Sequence, residues 1–289
     1  MWEIETVSPT VQRMRIKYNL NMDWRFRILC TSDEHIDHTN SDLKLIKRHL
    51  EEAKQNNWPC IKMGDLFCAM QGKKDPRKSR VALRNCFNDN EEYFDSIVDY
   101  AFDFLEPYKK QYALQCLGNH ETSILSHNET NLLKRLIRRM NDAGSPVQLG
   151  AYSGWLKILF SRKKTEGGRQ SINIRYLHGA GGSAPVTKGM IKTNRRAVNF
   201  PDAHIVLSGH THEAFVAPIT QEKISDQCKV YKREQLHVQI PSYKDEVTGQ
   251  VAGFAVEKEF TLKPIGAYWL EFWYDPTDRK IKYDALRAR

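Results

Sequence analysis

The sequence predicts an α/β fold of the α+β kind, with two packed mixed β-sheets forming a central sandwich flanked by helices. Two patterns carry this. In the first half, strand-like apolar runs break into polar loops and then into amphipathic helical stretches. In the second half, runs alternate apolar and polar residues, as half-buried antiparallel strands do.

Arg25 to Thr31 is the first such run and breaks into Ser32-Asp33-Glu34-His35. Ser41 reads as the cap of a helix with Leu43, Ile46, Leu50 and Ala53 on one face. The unit recurs at Pro59 to Met63, which runs into Gly64-Asp65-Leu66-Phe67. A helical stretch follows, from near Val81 to Leu105. Tyr112 to Leu117 then leads into Gly118-Asn119-His120-Glu121, and Leu132, Leu133, Leu136, Ile137 and Met140 form the apolar stripe of another helix. Trp155 to Arg162 and Ser171 to Leu177 read as strands joined by a basic, glycine-containing turn, the second ending at His178-Gly179. His204 to Ser208 ends at Gly209-His210-Thr211-His212, and alternation resumes at Val230, Leu236 to Ile240 and Ala267 to Tyr274. No linker interrupts the chain. It reads as one domain over 1–289, with a motif-bearing core at about 25–215 and a β-rich extension at about 216–289.

With 289 residues, 40% of them hydrophobic and 27% charged, the composition is that of a soluble globular protein and excludes disorder and repeat architectures. The start lacks a basic region followed by an apolar stretch, and no later run approaches the ~18 apolar residues of a membrane span. A cytoplasmic protein with no membrane partner is expected. The six cysteines show no C-x-x-C spacing and read as buried thiols, not as a zinc-cysteine site or disulfide framework. A net charge of +9 predicts a surface that attracts anions such as phosphates and nucleic acids.

The chemistry lies at the strand ends. Five times a strand-like run ends in metal-ligand residues: Asp33 with His35, Asp65, Asn119 with His120, His178, and His210 with His212. Such residues converge because the crevice of an α/β sheet lies outside the carboxyl ends of its strands. A single D-x-H or strand-end histidine is ordinary loop chemistry; the five together are not. In this order they resemble the calcineurin-like metallophosphoesterase superfamily, whose signature is D-x-H, G-D, G-N-H-D/E, a lone H and G-H-x-H. The match runs from Asp33 to His212.

That resemblance implies one ion held by Asp33, His35, Asp65 and His212, and a second by Asp65, Asn119, His178 and His210, with Asp65 bridging. Mixed oxygen and imidazole donors suit two divalent ions, manganese first, with iron, nickel or zinc as alternatives. The activity implied is phosphoester hydrolysis by a metal-bound hydroxide. His120 corresponds to the family histidine that contacts the phosphate and protonates the leaving oxygen.

Two features narrow the phosphoester. Ser/Thr protein phosphatases resemble G-D-x-x-D-R-G at the second motif, whereas here Leu66-Phe67-Cys68-Ala69-Met70 follow Gly64-Asp65. Gly-Asp-Leu-Phe resembles the second motif of Mre11/SbcD-type nucleases and of some nucleotide-lipid pyrophosphatases, but the latter usually show G-N-R-D where this chain has Gly118-Asn119-His120-Glu121, which leaves it nearer in motif to the nucleases. In addition, basic loops follow two motifs: Lys73, Lys74 and Arg77 in one, Lys188 and Arg195 in the other. They are candidate substrate-binding residues for a polyanionic strand. The expected function is a phosphodiesterase acting on nucleic acid, DNA or RNA, or on a nucleotide. A phosphomonoesterase is the first alternative. A non-catalytic scaffold of the same fold is the second, disfavoured because no ligand residue is missing.

Overall fold

Alternating residues fold the N-terminal arm, for which the sequence reading assigns no element, into a hairpin. β1 (Trp2–Ser8) pairs antiparallel with β2 (Val11–Tyr18), and Met14, Ile16 and Tyr18 all turn inward at the period of two that a pleated strand imposes. The computed structural model describes residues 2–69, 83–87, 92–162, 169–182, 184, 186–248, 256, 259 and 261–288.

The predicted strand–helix alternation follows as β3 (Arg25–Thr31), α1 (Leu43–Gln55), β4 (Cys60–Lys62), α2 (Tyr93–Leu105), β5 (Tyr112–Cys116), α3 (Asn119–Asn128), α4 (Leu132–Asp142) and β6 (Gln148–Gly150). Strands β3 to β6 are parallel, so their carboxyl ends open on one edge. The tail adds β12 (Ala267–Asp275) antiparallel to β3 and β13 (Lys280–Ala288) outside it, giving a six-stranded sheet. The other sheet has seven strands in the order β1-β2-β7-β8-β9-β11-β10. Its remaining members are β7 (Ser153–Arg162), β8 (Gln170–Leu177), β9 (Ile205–Ser208), β10 (Phe215–Ile224) and β11 (Val230–Gln239).

The sheets pack face to face. Ile16, Ile158, Ile174, Leu207 and Val238 of one meet Ile28, Ile61, Leu114, Leu270 and Phe272 of the other in a continuous buried cluster. Helices α1, α2 and α4 cover the outer face of the six-stranded sheet through a second cluster. The stripe predicted on α4 (Leu132, Leu133, Leu136, Ile137, Met140) is buried throughout, and truncating one such side chain to alanine costs about 2–5 kcal/mol. On the far side, α5 (Met190–Asn199), which has no counterpart in the sequence reading, leads into Phe200, which packs edge-on against Trp155 and under Arg175.

Three local expectations are corrected. The α1 cap is Asp42, whose carboxylate accepts the Leu45 N–H at 2.9 Å, while Ser41 Oγ donates to the Glu34 carbonyl at 2.6 Å. Asn119 and His120 lie in the first turn of α3, not in a strand-end loop. Cys86 and Cys228 are exposed, whereas the other four thiols are buried as expected. Among the described residues no helix is long and apolar enough to cross a membrane.

Candidate metal centre

The motif loops bind one another before any side chain is considered. Beyond the ends of β3 and β4 the pairing continues: Asp33 N donates to Gly64 O at 3.0 Å, His35 N to Asp65 O at 3.1 Å and Ile36 N to Leu66 O at 2.9 Å. Loops this close exclude side chains. A Cβ on Gly118 would collide with Asp65 Oδ1, and one on Gly209 would collide with Ser32 Oγ and stand 2.7 Å from Asp33 Oδ2. The carboxylates therefore occupy space that only glycine leaves open. Asp33, His35, Asp65, His210 and His212 all hold positive φ, at 51°, 44°, 52°, 71° and 56°. Such backbone costs of order 1–3 kcal/mol per residue and persists where the surroundings over-determine it, commonly at functional sites.

Much of that determination comes from Glu121, which the sequence reading treats only as a motif letter. Its buried carboxylate accepts from Asp65 N (3.0 Å), Phe67 N (3.1 Å) and Gly118 N (2.8 Å), tying the second and third loops together. Burial, with the Asp65 charge adding to it, pushes the Glu121 carboxyl up to about 7 despite those donors. Asp37 does the same for the next turn, accepting from Cys68 N at 2.6 Å and Ala69 N at 2.7 Å. Beneath the first loop, Glu34 pairs with Lys62, both buried.

Within this frame all seven predicted ligand residues converge. Ligand atoms of Asp33, His35 and His212 lie within 4.8 Å of one another, as do those of Asp65, His178 and His210. Asn119 Oδ1 joins the second group at 2.9 Å from His178 Nε2 and 2.7 Å from His210 Nδ1. His178 links the groups, its Nε2 being 3.2 Å from Asp65 Oδ2 and 3.9 Å from Asp33 Oδ1. His212 Nε2 is 3.4 Å from Asp33 Oδ1.

The donor set fits a cation. His178 Nδ1 faces the Met63 carbonyl at 2.7 Å, which fixes its proton on that nitrogen. A neutral ring then turns the Nε2 lone pair toward Asn119 Oδ1 and Asp65 Oδ2. Three acceptors this close together require a proton or a metal ion between them. Without an ion the proton wins: burial opposes a charged ring, but Asp65 and Asp33 overcome it and raise His178 to about 10. In the other group, His35 Nδ1 is buried with no hydrogen-bond partner among the described residues, and the buried Asp33 Oδ1, 3.4 Å from His212 Nε2, has no well-formed hydrogen bond among them. Burial, aided by His120 and Lys244, holds His35 well below the usual range, and burial followed by His178 lowers His210. Both rings thus stay neutral, the form that coordinates metals.

His120 borders the groups. Its N–H donates to Asp65 Oδ1 at 2.9 Å, and its Nδ1 lies 2.7 Å from the Cys68 carbonyl. Nε2 is thereby turned toward the centre, 3.7 Å from Asp65 Oδ2.

The basic residues are placed differently. Lys188 precedes α5 and Arg195 lies on it; both are exposed. Lys192 Nζ folds onto the Ala180 and Gly182 carbonyls at 2.5 and 2.9 Å, and Arg196 Nη1 donates to Ser208 Oγ at 2.7 Å. Lys73, Lys74 and Arg77 lie outside the described residues. The segment after β11 supplies what the sequence reading misses. Ser242 Oγ donates to the Asp33 carbonyl at 2.6 Å, and Lys244, nearly buried and 2.5 Å from Glu246, places its ammonium beside His35 and His38. No strand-end pattern marks that segment.

No known family pattern matches the chain, and no curated protein matches it in sequence. Among solved structures it is similar to Vps29 complexed with zinc from Entamoeba histolytica, at 11% identity over 91% of this chain and 99% of that one, with a TM-score of 0.38. It is also similar to GAP50, the anchor in the inner membrane complex of Plasmodium (12% identity, 91% and 84% covered, TM-score 0.44). A third likeness is to a conserved uncharacterized protein from Streptococcus pneumoniae described as a predicted phosphoesterase (10% identity, 92% and 99% covered, TM-score 0.32). Likeness this distant says nothing about activity or ligand; those rest on the side chains themselves.

Proposed function

We propose that the chain is a metal-dependent phosphoesterase that binds two divalent ions, manganese first, and hydrolyses phosphodiesters of nucleic acid or nucleotides. The observation that carries this is the convergence of lone pairs around His178 and Asn119, beside the buried Asp33 Oδ1, which faces the imidazoles of His212 and His178, and the buried His35 Nδ1. Asp33, His35 and His212 would hold one ion, Asn119, His178 and His210 the other, and Asp65 would serve both. Ions held there would activate water and offset the charge that develops on the phosphate.

The chain's own residues supply the rest. His120, fixed through Nδ1 on the Cys68 carbonyl, presents Nε2 where a proton can pass to a leaving oxygen. Glu121 and Asp37 keep the loops from relaxing as charge shifts. Exposed Lys188 and Arg195, after the His178 loop, favour a polyanionic substrate, and the Gly64-Asp65-Leu66-Phe67 motif favours a nuclease of the Mre11/SbcD type.

The test is a substrate panel run on chelator-stripped protein resupplied with manganese. It comprises single- and double-stranded DNA, RNA, cyclic nucleotides, bis(4-nitrophenyl) phosphate and 4-nitrophenyl phosphate. Manganese-dependent cleavage of diesters ahead of the monoester is expected. Preference for the monoester would make the chain a phosphomonoesterase, and metal binding with no turnover on any substrate would leave the scaffold reading.

A further inference from the structure

A third group of ligand atoms adjoins the centre, and its one member with no part in the proposed chemistry is Cys68. His35, Cys68 and His120 bring two imidazole nitrogens and a sulfur within 4.8 Å of one another, and all three residues are buried. The position of Cys68 is built. Its N–H donates to Asp37 Oδ1 at 2.6 Å, the Ala69 N–H donates to Asp37 Oδ2 at 2.7 Å, and its carbonyl faces His120 Nδ1 at 2.7 Å. The turn is thus pinned on both sides, with Ala69 in the left-handed region at φ 40°. His35 Nδ1 is buried and has no hydrogen-bond partner among the described residues. The ring of His35 stands 4.8 Å from that of His120, tilted at 67°.

We propose that His35, Cys68 and His120 form a thiolate-containing ion site that selects zinc, and that zinc bound there silences the neighbouring centre. Selection follows from the donors. One sulfur and two imidazoles are a familiar zinc set, whereas manganese prefers the sulfur-free groups alongside, which mix oxygen donors with imidazoles. Binding breaks the Cys68 S–H bond as the S–Zn bond forms, and the proton leaves to solvent with no change of oxidation state. Silencing follows from sharing: His35 also belongs to the Asp33 group, and His120 is the proposed proton donor. An ion in the thiol group removes a ligand from one and the acid from the other.

The silencing rests on the phosphoesterase reading; the ion site does not, so the experiment has two arms. In the first, cobalt is added to chelator-stripped protein. A thiolate-to-cobalt charge-transfer band in the near ultraviolet is expected, lost in Cys68→Ser and retained when the exposed Cys86 and Cys228 are both replaced by serine. A band that survives Cys68→Ser, or no band at all, overturns the site. In the second arm, zinc is titrated against manganese-supported cleavage of bis(4-nitrophenyl) phosphate, each variant normalised to its own activity. Half-inhibition of Cys68→Ala should need at least ~10-fold more zinc than wild type, since even outer-shell losses at metal sites cost ~10–100-fold in affinity. Equal sensitivity overturns the silencing. Lack of turnover in every metal would sink the phosphoesterase reading, while the cobalt band would still decide the ion site.

Discussion

The two halves of the centre each pair two imidazoles with one oxygen donor, an amide in one and a carboxylate in the other, and are held in opposite ways. Around Asn119, His178 and His210 the side chains already engage one another, with Asn119 Oδ1 within 2.9 Å of both imidazoles and His178 anchored on Met63. Around Asp33, His35 and His212 the backbone is held firmly, by Gly64, Asp65 and Ser242, yet among the described residues the buried Asp33 Oδ1 and His35 Nδ1 have no well-formed hydrogen bond. One half can satisfy itself with a proton on His178. The other gains most from a cation, because an unsatisfied buried polar atom costs about 1–3 kcal/mol. Preorganisation thus lies in side chains on one side and in backbone on the other.

The sharpest way to break this comparison is at the residue common to both halves. Asp65→Asn should release both ions and lower diester turnover by more than the ~10⁴-fold upper bound of a lost proton donor, because attack and charge stabilisation both depend on the ions. Asn119→Ala should release one ion and leave the Asp33 half loaded. Metal content of the purified variants decides: two tightly bound ions in Asp65→Asn would end the bridging assignment, and none in Asn119→Ala would show the halves to be one unit.

His120 comes next in size. Its replacement by alanine should cost about 10²–10⁴ in rate with alkoxide leaving groups and little with nitrophenolate, which departs unassisted, at unchanged metal content. An equal loss on both substrate types would leave His120 only a role in positioning the phosphate.

Glu121 tests the frame. Glu121→Gln keeps the shape but exchanges an acceptor oxygen for a donor facing backbone N–H groups, so a loss of about 1–3 kcal/mol is expected, read from urea unfolding of metal-free protein. Unchanged stability would mean the loops are held by their backbone pairing alone.

The smallest effect belongs to the exposed flank. Replacing Lys188 and Arg195 with alanine should flatten the salt dependence of single-strand binding by roughly 0.7 in log–log slope for each phosphate no longer neutralised, with turnover of bis(4-nitrophenyl) phosphate nearly intact. An unchanged slope would make the two residues solvated charges with no part in binding.

The difference between core and flank also explains what could be read in advance. Strands β3, β4, β5, β8 and β9 announce themselves because apolar runs end abruptly at glycine or at a ligand, a signal contained within a few neighbours. The β1–β2 hairpin alternates just as plainly yet escapes assignment, since Gln12 is buried among Met14 and Ile16 and blurs the period. Helix α5 is missed for another reason: its buried face is only Thr193 and Ala197, too small to mark a stripe.

By itself, the sequence determined the chemical inventory: which carboxylates, amide and imidazoles follow the strand-like runs, in an order whose resemblance to a known signature fits oxygen-and-nitrogen metal chemistry. Only the tertiary structure decided which donors share a group, that His178 bridges the two carboxylates, that Cys68 stands beside His35 and His120, and that Ser242 and Lys244 from the tail close over the first loop. The physical reason is range. Turn chemistry and periodicity are local, whereas the partner of a buried polar atom is set by whichever distant backbone packs against it, and that leaves no trace in neighbouring residues.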